Sequence, residues 1–291
     1  MIWEKALFVL CARFIFCPAG LLFSRFFAHI FLTTGLVDGR EALSRKNAPQ
    51  AQMRKLRGLC PRSGGGLGAE PPLKLEVHMF RLLSLLIGYT LGCLHSAYVV
   101  GKLAHGIDIR EHGSKNSGFT NANRVMGFKT GVWIFLADVA KAVLAFLVAS
   151  WLFEGGGGFF APYGANGLLP GVWAGLGAVI GHCFPVILKF KGGKGIACTV
   201  GLLLMLDWRG AIIIFAIAII VILVTRYVSL ASLIITLLTP IFMAIFGHGW
   251  EVVTLTVVLM AVAWFMHREN IQRLVTGSER RFSFTKKPDT P

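Results

Sequence analysis

The sequence predicts an all-α fold, a polytopic membrane helix bundle, and three observations carry that prediction. Of the 291 residues, 55% are hydrophobic and only 15% charged, with a mean hydropathy of +0.68. Long apolar segments recur after Met79, and Lys and Arg fall in alternate connections between them. A water-soluble domain has about a quarter of its residues charged, and a disordered chain has few apolar residues; both classes are excluded. The balance of 29 Lys and Arg against 14 Asp and Glu, a net +15, would indicate nucleic acid in a soluble domain. Here the basic residues sit between apolar stretches, so the charge reads as membrane topology and anionic ligands, with no nucleic-acid partner.

Seven apolar segments follow in order: Phe80 to Leu103, Thr130 to Phe153, Gly171 to Phe190, Ile196 to Leu206, Gly210 to Thr225, Val228 to Gly247, and Trp250 to Met266. The fourth is short: eleven residues reach about 16 Å against a hydrocarbon core of about 30 Å. Joining it to the fifth would bury Asp207 and Arg209 in mid-helix, so a turn is expected over Asp207-Trp208-Arg209-Gly210. The first connection holds Lys102, Arg110, Lys115, Arg124 and Lys129, the third Lys191 and Lys194, the fifth Arg226, and the tail is basic from Arg268. The connection Glu154 to Pro170 has no Lys or Arg, Asp207 to Gly210 has Arg209, and Gly247 to Trp250 has none. Basic connections stay in the cytoplasm, which puts the N-terminus of this unit outside and the C-terminus inside, as seven segments require.

Residues 1–78 fit that frame poorly. The apolar stretch Ala6 to Val37 is interrupted by Arg13, Arg25 and His29, and a charge at the bilayer centre costs at least about 2.5 kcal/mol. It reads as an interfacial helix or a weak span. Were it a span, the linker from Arg40 to Lys74, with eight Lys and Arg, would lie outside, against the charge rule. Residues 1–78 are therefore expected to be an atypical extension, and 79–291 the membrane-embedded domain. Leu75-Glu76-Val77 can be encoded by a purine-rich string like a bacterial ribosome-binding site just before Met79, so translation is expected to start there. The six cysteines, Cys11, Cys17, Cys60, Cys93, Cys183 and Cys198, have no CxxC spacing and read as small buried hydrophobes.

Function must come from polar residues that a bilayer otherwise rejects, and they form three clusters on the inferred cytoplasmic side. The first runs from Ile107 through Gly113 to Asn121, with Arg124 just beyond. Glycines let backbone N–H groups converge on an oxyanion, hydroxyls and amides add donors, and Arg binds phosphate bidentately; a solvated Gly/Ser/Asn turn is the plainer alternative. The second is Gly181 to Gly195, where Lys189, Lys191 and Lys194 surround Gly192 and Gly193 ahead of a helix start. It lacks Walker A spacing, and lysines anchoring helix ends at headgroups would give the same pattern. The third opens the tail, where His267 and Asn270 share a face if that segment is helical; a basic juxtamembrane helix on anionic lipid is the competing reading. Inside the second segment Asp138 and Lys141 meet at i, i+3, either a functional pair or an ion pair locking the bundle. His95 and Arg226 are interfacial candidates. Three oxyanion-friendly loops on one membrane face describe a site where a soluble phosphate compound meets something delivered from lipid. No metal cluster is apparent in the sequence.

GKLAHGIDIREHGSKNSGFTNANRVMG (Gly101 to Gly127), GHCFPVILKFKGGKGIACT (Gly181 to Thr199) and HRENIQRLVTGSE (His267 to Glu279) resemble the three ordered motifs of the bacterial acyl-phosphate:glycerol-3-phosphate acyltransferases. The resemblance covers Phe80 to Lys287 and none of the first 78 residues. It implies a seven-span inner-membrane enzyme of phospholipid synthesis with its active site facing the cytoplasm. Its substrates would be acyl phosphate and glycerol 3-phosphate, its surroundings membrane lipids, and it would need no cofactor or metal. It implies catalytic roles for Ser114, Arg124, His267 and Asn270. Substrate-binding roles fall to Asn116, Thr120, Asn121, His182, Lys191, Gly192, Gly193, Lys194 and Gly195, and Glu279 matches an acidic, structural position. The chain departs from the family where a G-S-I-P sequence is usual, reading Gly92-Cys93-Leu94-His95-Ser96, and Lys115 and Phe119 replace smaller residues.

Competing classes fit less well. A solute transporter usually shows internal repeats and a midplane site; no repeat is visible. CDP-alcohol phosphotransferases need several aspartates where the spans hold only Asp138, and no His has Asp five positions later, as H-x-x-x-x-D acyltransferases require. The N-terminal expectation is checked by the intact mass of protein extracted from membranes: a chain starting at Met79 is expected, and a peptide from residues 1–78 would overturn it.

Overall fold

The computed structural model describes residues 73–153 and 168–282; the extension's stretch Ala6 to Val37 and most of the connection after Phe153 lie outside the described residues. Every regular element among the described residues is helical. In chain order these are α1 (Leu73–Gly92), α2 (Ser96–His105), α3 (Phe119–Met126), α4 (Phe128–Phe153), α5 (Leu169–Cys183), α6 (Ile196–Leu206), α7 (Trp208–Thr225), α8 (Val228–Ile245), α9 (Trp250–Met266) and α10 (Arg268–Val275), with a 3-10 turn at Val186–Leu188. Each of the seven expected segments contains an α-helix, but the third leaves it after Cys183 and ends in the 3-10 turn. Among the described residues, five helical stretches are long and apolar enough to cross a bilayer, with α1 and α2 counted together and α5 counted with the 3-10 turn, or six if the bent pair α9 and α10 is one span, while α6 is shorter. Leu82, Leu86, Trp133, Leu136, Trp151, Ile212, Ile220 and Leu223 point outward, as lipid-facing residues do.

α5 lies at the centre, buried along nearly its whole length. Its small residues explain why. Gly177 and Gly181 on α5, and Gly88 and Gly92 on α1, are each four apart, so each pair lines one helix face. A Cβ at Gly88 or Gly92 would collide with the carbonyls of Ala174 or Ala178, and one at Gly177 or Gly181 with those of Leu85 or Tyr89. The two backbones therefore touch directly, the small-xxx-small mode by which membrane helices associate when lipid removes the hydrophobic drive. Gly171 and Gly175 receive Phe146 of α4 and Leu202 of α6. At one end, Glu251 of α9 joins α1 and α5 by accepting from Arg81 Nη2 at 2.7 Å and Trp173 Nε1 at 2.9 Å.

Two details differ from the sequence reading. The first segment is not one helix: it breaks at Cys93–His95 between α1 and α2, within the departure from G-S-I-P. Lys141 of α4 stabilises the break, its Nζ donating to the Leu94 carbonyl at 2.6 Å. The turn expected over Asp207–Gly210 shrinks to Asp207 alone. Its carboxylate accepts from the Arg209 and Gly210 N–H groups at 3.0 and 3.3 Å, capping α7, so Trp208, Arg209 and Gly210 already form the first helical turn.

Gly177→Val is expected to destabilise the protein by roughly 1–3 kcal/mol or more through overpacking, seen as a lower unfolding temperature in detergent. Gly249→Ala, with open space around it, is the control expected to leave the transition unchanged.

Candidate active site

The first loop is shaped by one amide. Asn121, on the first turn of α3 and 1% exposed, accepts from the Ser114 N–H at 2.7 Å and donates to the carbonyls of Ile109 and His112 at 3.1 and 3.0 Å. Gly113 (φ +62) lets the chain pass so close that a Cβ there would strike the Asn121 side chain. Both amide hydrogens of Asn121 are thus used inside the protein: it shapes the loop that presents Ser114, Asn116 and Thr120. Ser117 is fully buried and its Oγ lies 3.3 Å from His95 Nδ1. Arg124 projects from α3 one turn beyond Asn121 and lines the same cavity.

The second loop folds over His182. The Gly193 N–H donates to the His182 carbonyl at 2.9 Å, and side chains at Gly192 or Gly193 would collide with the His182 carbonyl or ring. These glycines permit that close passage and do not line the cavity. Gly195 (φ +76) then starts α6 with no side-chain cap, and Lys194 turns inward to donate from Nζ to Asn270 Oδ1. His182 is nearly buried. Lys141 Nζ lies 2.9 Å from its Nδ1 and 2.8 Å from Asp138 Oδ1, which also accepts from Ser96 Oγ at 3.0 Å. The Lys141 ammonium can only donate, so Nδ1 is the acceptor and the ring proton sits on Nε2.

The third loop lies at the 63° bend between α9 and α10. His267 Nδ1 is 2.7 Å from the Ala263 carbonyl, which can only accept, leaving Nε2 as an acceptor. Asn270 Nδ2 donates to Glu279 Oε1 at 2.7 Å; Ser229 Oγ and Arg273 Nε, each at 2.8 Å, complete that carboxylate's partners. Burial alone would raise Glu279, but the hydrogen bonds from Arg273, Asn270 and Ser229 hold it below the usual carboxylate range. Burial, then the nearby Lys194 charge, lowers His267 to about 4, so it is neutral near pH 7. Burial lowers Lys194 to about 8 against the partial compensation of Glu279.

These loops meet at a cavity of about 890 Å³. Ser114, Asn116, Thr120, Asn121, Arg124, His182, Lys194, Gly195, His267 and Asn270 line it, and Lys191, Gly192 and Gly193 do not. The helices add apolar lining: Val132 and Phe135 of α4, Val200 of α6, Phe215, Ala218 and Ile222 of α7, Ala231 and Ile235 of α8. Asp138, expected as half of a functional or structural pair, also lines it, as do Ser229, Arg273 and Arg280, which the sequence does not mark as site residues. For Ser229 the only available signal was a hydroxyl three residues beyond Arg226, within the basic fifth connection.

Long apolar helices around a cavity lined by both charged loop residues and apolar helix residues define an integral membrane protein with an amphipathic site. The family described as glycerol-3-phosphate acyltransferase matches residues 82–277. A glycerol-3-phosphate acyltransferase of Thermoanaerobacter sp. (strain X514) is 37% identical over 203 residues, 70% of this chain and 96% of that relative. One from Halalkalibacterium halodurans is 39% identical over 202 residues, 68% and 93% of the two chains. The crystal structure of PlsY, an integral membrane glycerol 3-phosphate acyltransferase in its glycerol 3-phosphate form, is similar with a TM-score of 0.61 and 34% identity, over 70% of this chain and 96% of that one. The chain belongs to the glycerol-3-phosphate acyltransferase family. It is an acyltransferase embedded in a membrane.

Lys194 is expected to react with an amine-acylating reagent with a midpoint near pH 8, reflecting its lowered pKa. Competitive labelling read by peptide mass spectrometry checks this, and a midpoint near 10.5 would refute the burial of its ammonium group.

Proposed function

We propose that the protein transfers the acyl group of an acyl phosphate to the 1-hydroxyl of glycerol 3-phosphate, giving lysophosphatidic acid and phosphate in the first acylation of phospholipid synthesis. The observation that carries this reading is the mixed lining of one cavity: Arg124, Lys194 and the uncapped starts of α3 and α6 together with apolar residues of α4, α6, α7 and α8. Uncapped helix starts carry unpaired N–H groups and a partial positive charge, and with Arg and Lys they suit phosphate oxygens. The apolar lining suits an acyl chain. The solved relative in its glycerol 3-phosphate and lysophosphatidic acid forms supports both halves.

In this mechanism Arg124 and Lys194 bind the phosphates, with Ser114, Asn116 and Thr120 adding donors and His182 offering Nε2–H. The alcohol oxygen attacks the acyl carbonyl carbon; a C–O ester bond forms and the bond from carbonyl carbon to phosphate oxygen breaks. Neutral His267 accepts a hydrogen bond from the attacking hydroxyl through Nε2, and Asn270 fixes Lys194 beside it. An imidazole with pKa near 4 is a weak base toward an alcohol, so His267 orients the hydroxyl and the proton leaves on the departing phosphate. An acyl phosphate is already activated, so positioning and charge stabilisation suffice without a covalent enzyme intermediate.

We place the protein in the bacterial inner membrane, with seven segments after Met79, the N-terminus of that unit outside and the cavity open to the cytoplasm. The basic connections that feed the cavity support that orientation. Residues 79–291 are assigned as the acyltransferase domain and 1–78 as an extension.

Purified protein given acyl phosphate and glycerol 3-phosphate is expected to yield lysophosphatidic acid, and acyl-CoA as sole donor none; the reverse would refute the donor. Arg124→Ala and His267→Ala are each expected to lower kcat/KM by about 100-fold or more with the protein still inserted and folded. Lys194→Ala is expected chiefly to raise KM for a phosphorylated substrate, and unchanged kinetics would remove it from the site.

A further inference from the structure

A second recess of about 350 Å³ shares no lining residue with the reaction cavity. Tyr98 of α2, Arg110 and Glu111 of the first loop, and Ile187, Lys189 and Lys191 of the second line it. Arg110 fixes the floor: its guanidinium grips Asp108 at 2.7 and 3.0 Å, stacks 4.9 Å over the Tyr98 ring and reaches the Leu188 carbonyl at 3.4 Å. Those hydrogen bonds hold Asp108 at about 2, so it remains an anion. Three cations, Arg110, Lys189 and Lys191, then face two carboxylates, Asp108 and Glu111, leaving one positive charge in excess.

The backbone around the recess is strained. Lys189 (φ +53) and Phe190 (φ +61) are consecutive non-glycine residues in the left-handed region, where glycine would be the relaxed choice. Strain that surrounding structure must hold is a mark of functional segments. The turn also exposes Val186, Ile187 and Phe190, and α2 exposes Val99 and Leu103. A turn that sets exposed apolar side chains beside lysines has the character of a membrane interface, with aliphatics in the acyl region and ammonium groups at headgroup level.

We infer that this recess is a binding site for an anionic phosphodiester lipid with a hydroxylated headgroup, its phosphate held between Lys189 and Lys191, its headgroup hydroxyls donating to Glu111, and its chains against Ile187 and Phe190. A lipid of charge −1 matches the excess charge, and the exposed apolar turn gives a lipid, but not free phosphate, a place for its chains. Lys191 thus acts outside the reaction cavity, two residues ahead of Gly193, whose N–H holds the loop onto His182.

Native mass spectrometry of the delipidated full chain tests this with phosphatidylglycerol as probe. Phosphatidylglycerol is expected to be retained about tenfold more than phosphatidylcholine, and a protein carrying Lys189→Gln and Lys191→Gln to lose that preference. Lys189→Gly, which removes the charge while relaxing the backbone, is expected to weaken retention with folding intact. Equal retention of the two lipids, undiminished phosphatidylglycerol binding in the double variant, or displacement by millimolar inorganic phosphate would each overturn the assignment.

Discussion

The structure depends on how one buried ammonium group is satisfied. An unpaired charge in the hydrocarbon region costs several kcal/mol, and Lys141 avoids that cost by directing its three hydrogens at Asp138, the Leu94 carbonyl and His182 Nδ1, all within 2.9 Å. Each partner belongs to a different part of the architecture. Asp138 keeps the pair on α4, Leu94 is the backbone group released where α1 gives way to α2, and His182 ends α5 under the second loop. Break, ion pair and histidine tautomer are therefore one arrangement. Replacing a single member of such a network leaves the others buried without partners, which costs more than the pair contributes.

Much of this was legible in the sequence because a bilayer imposes so simple a test. Seven apolar segments emerge from hydropathy, and each contains an α-helix, the first broken at Cys93–His95 and the third ending at Cys183. What stayed hidden depends on a partner from elsewhere in the chain. Nothing local in Cys93-Leu94-His95 stops a helix; the break is tolerated because Lys141, 47 residues away, meets the freed carbonyl. The glycine pairs Gly88/Gly92 and Gly177/Gly181 could be read as four-residue spacings, but not as facing each other. The charge of Asp207 excludes it from a helix interior, and its side chain makes the turn shorter than expected by serving as the cap.

The site was legible at the level of loops and less so at the level of side chains. Polar clusters in an apolar sequence are conspicuous, so the three loops could be found. Which members face inward is decided by backbone conformation. Lys191 and Lys194 are three residues apart in one glycine-rich run, yet they line different cavities, and between them Gly192 and Gly193 pack onto His182. Likewise Asn121 lies in the middle of the first motif, yet its amide hydrogens are spent on Ile109 and His112.

The charge state of Lys194 ties this geometry to ligand binding. Burial favours the neutral amine, so with a pKa near 8 about a tenth of the protein lacks this cation at pH 7. An arriving phosphate reverses the balance, because an anion beside the ammonium stabilises the charged form and raises its pKa. Binding therefore takes up protons in proportion to the neutral fraction, and free-protein affinity for an anion declines as pH rises through 8. For stability the sign is opposite: a lysine whose pKa falls from 10.5 in the unfolded chain to 8 in the fold disfavours folding below 10.5, with the full penalty reached below 8. The fold bears that penalty at neutral pH because Asn270 and the Glu279 carboxylate behind it hold the ammonium in place. A bound phosphate offsets part of it, so anion binding and stability rise together.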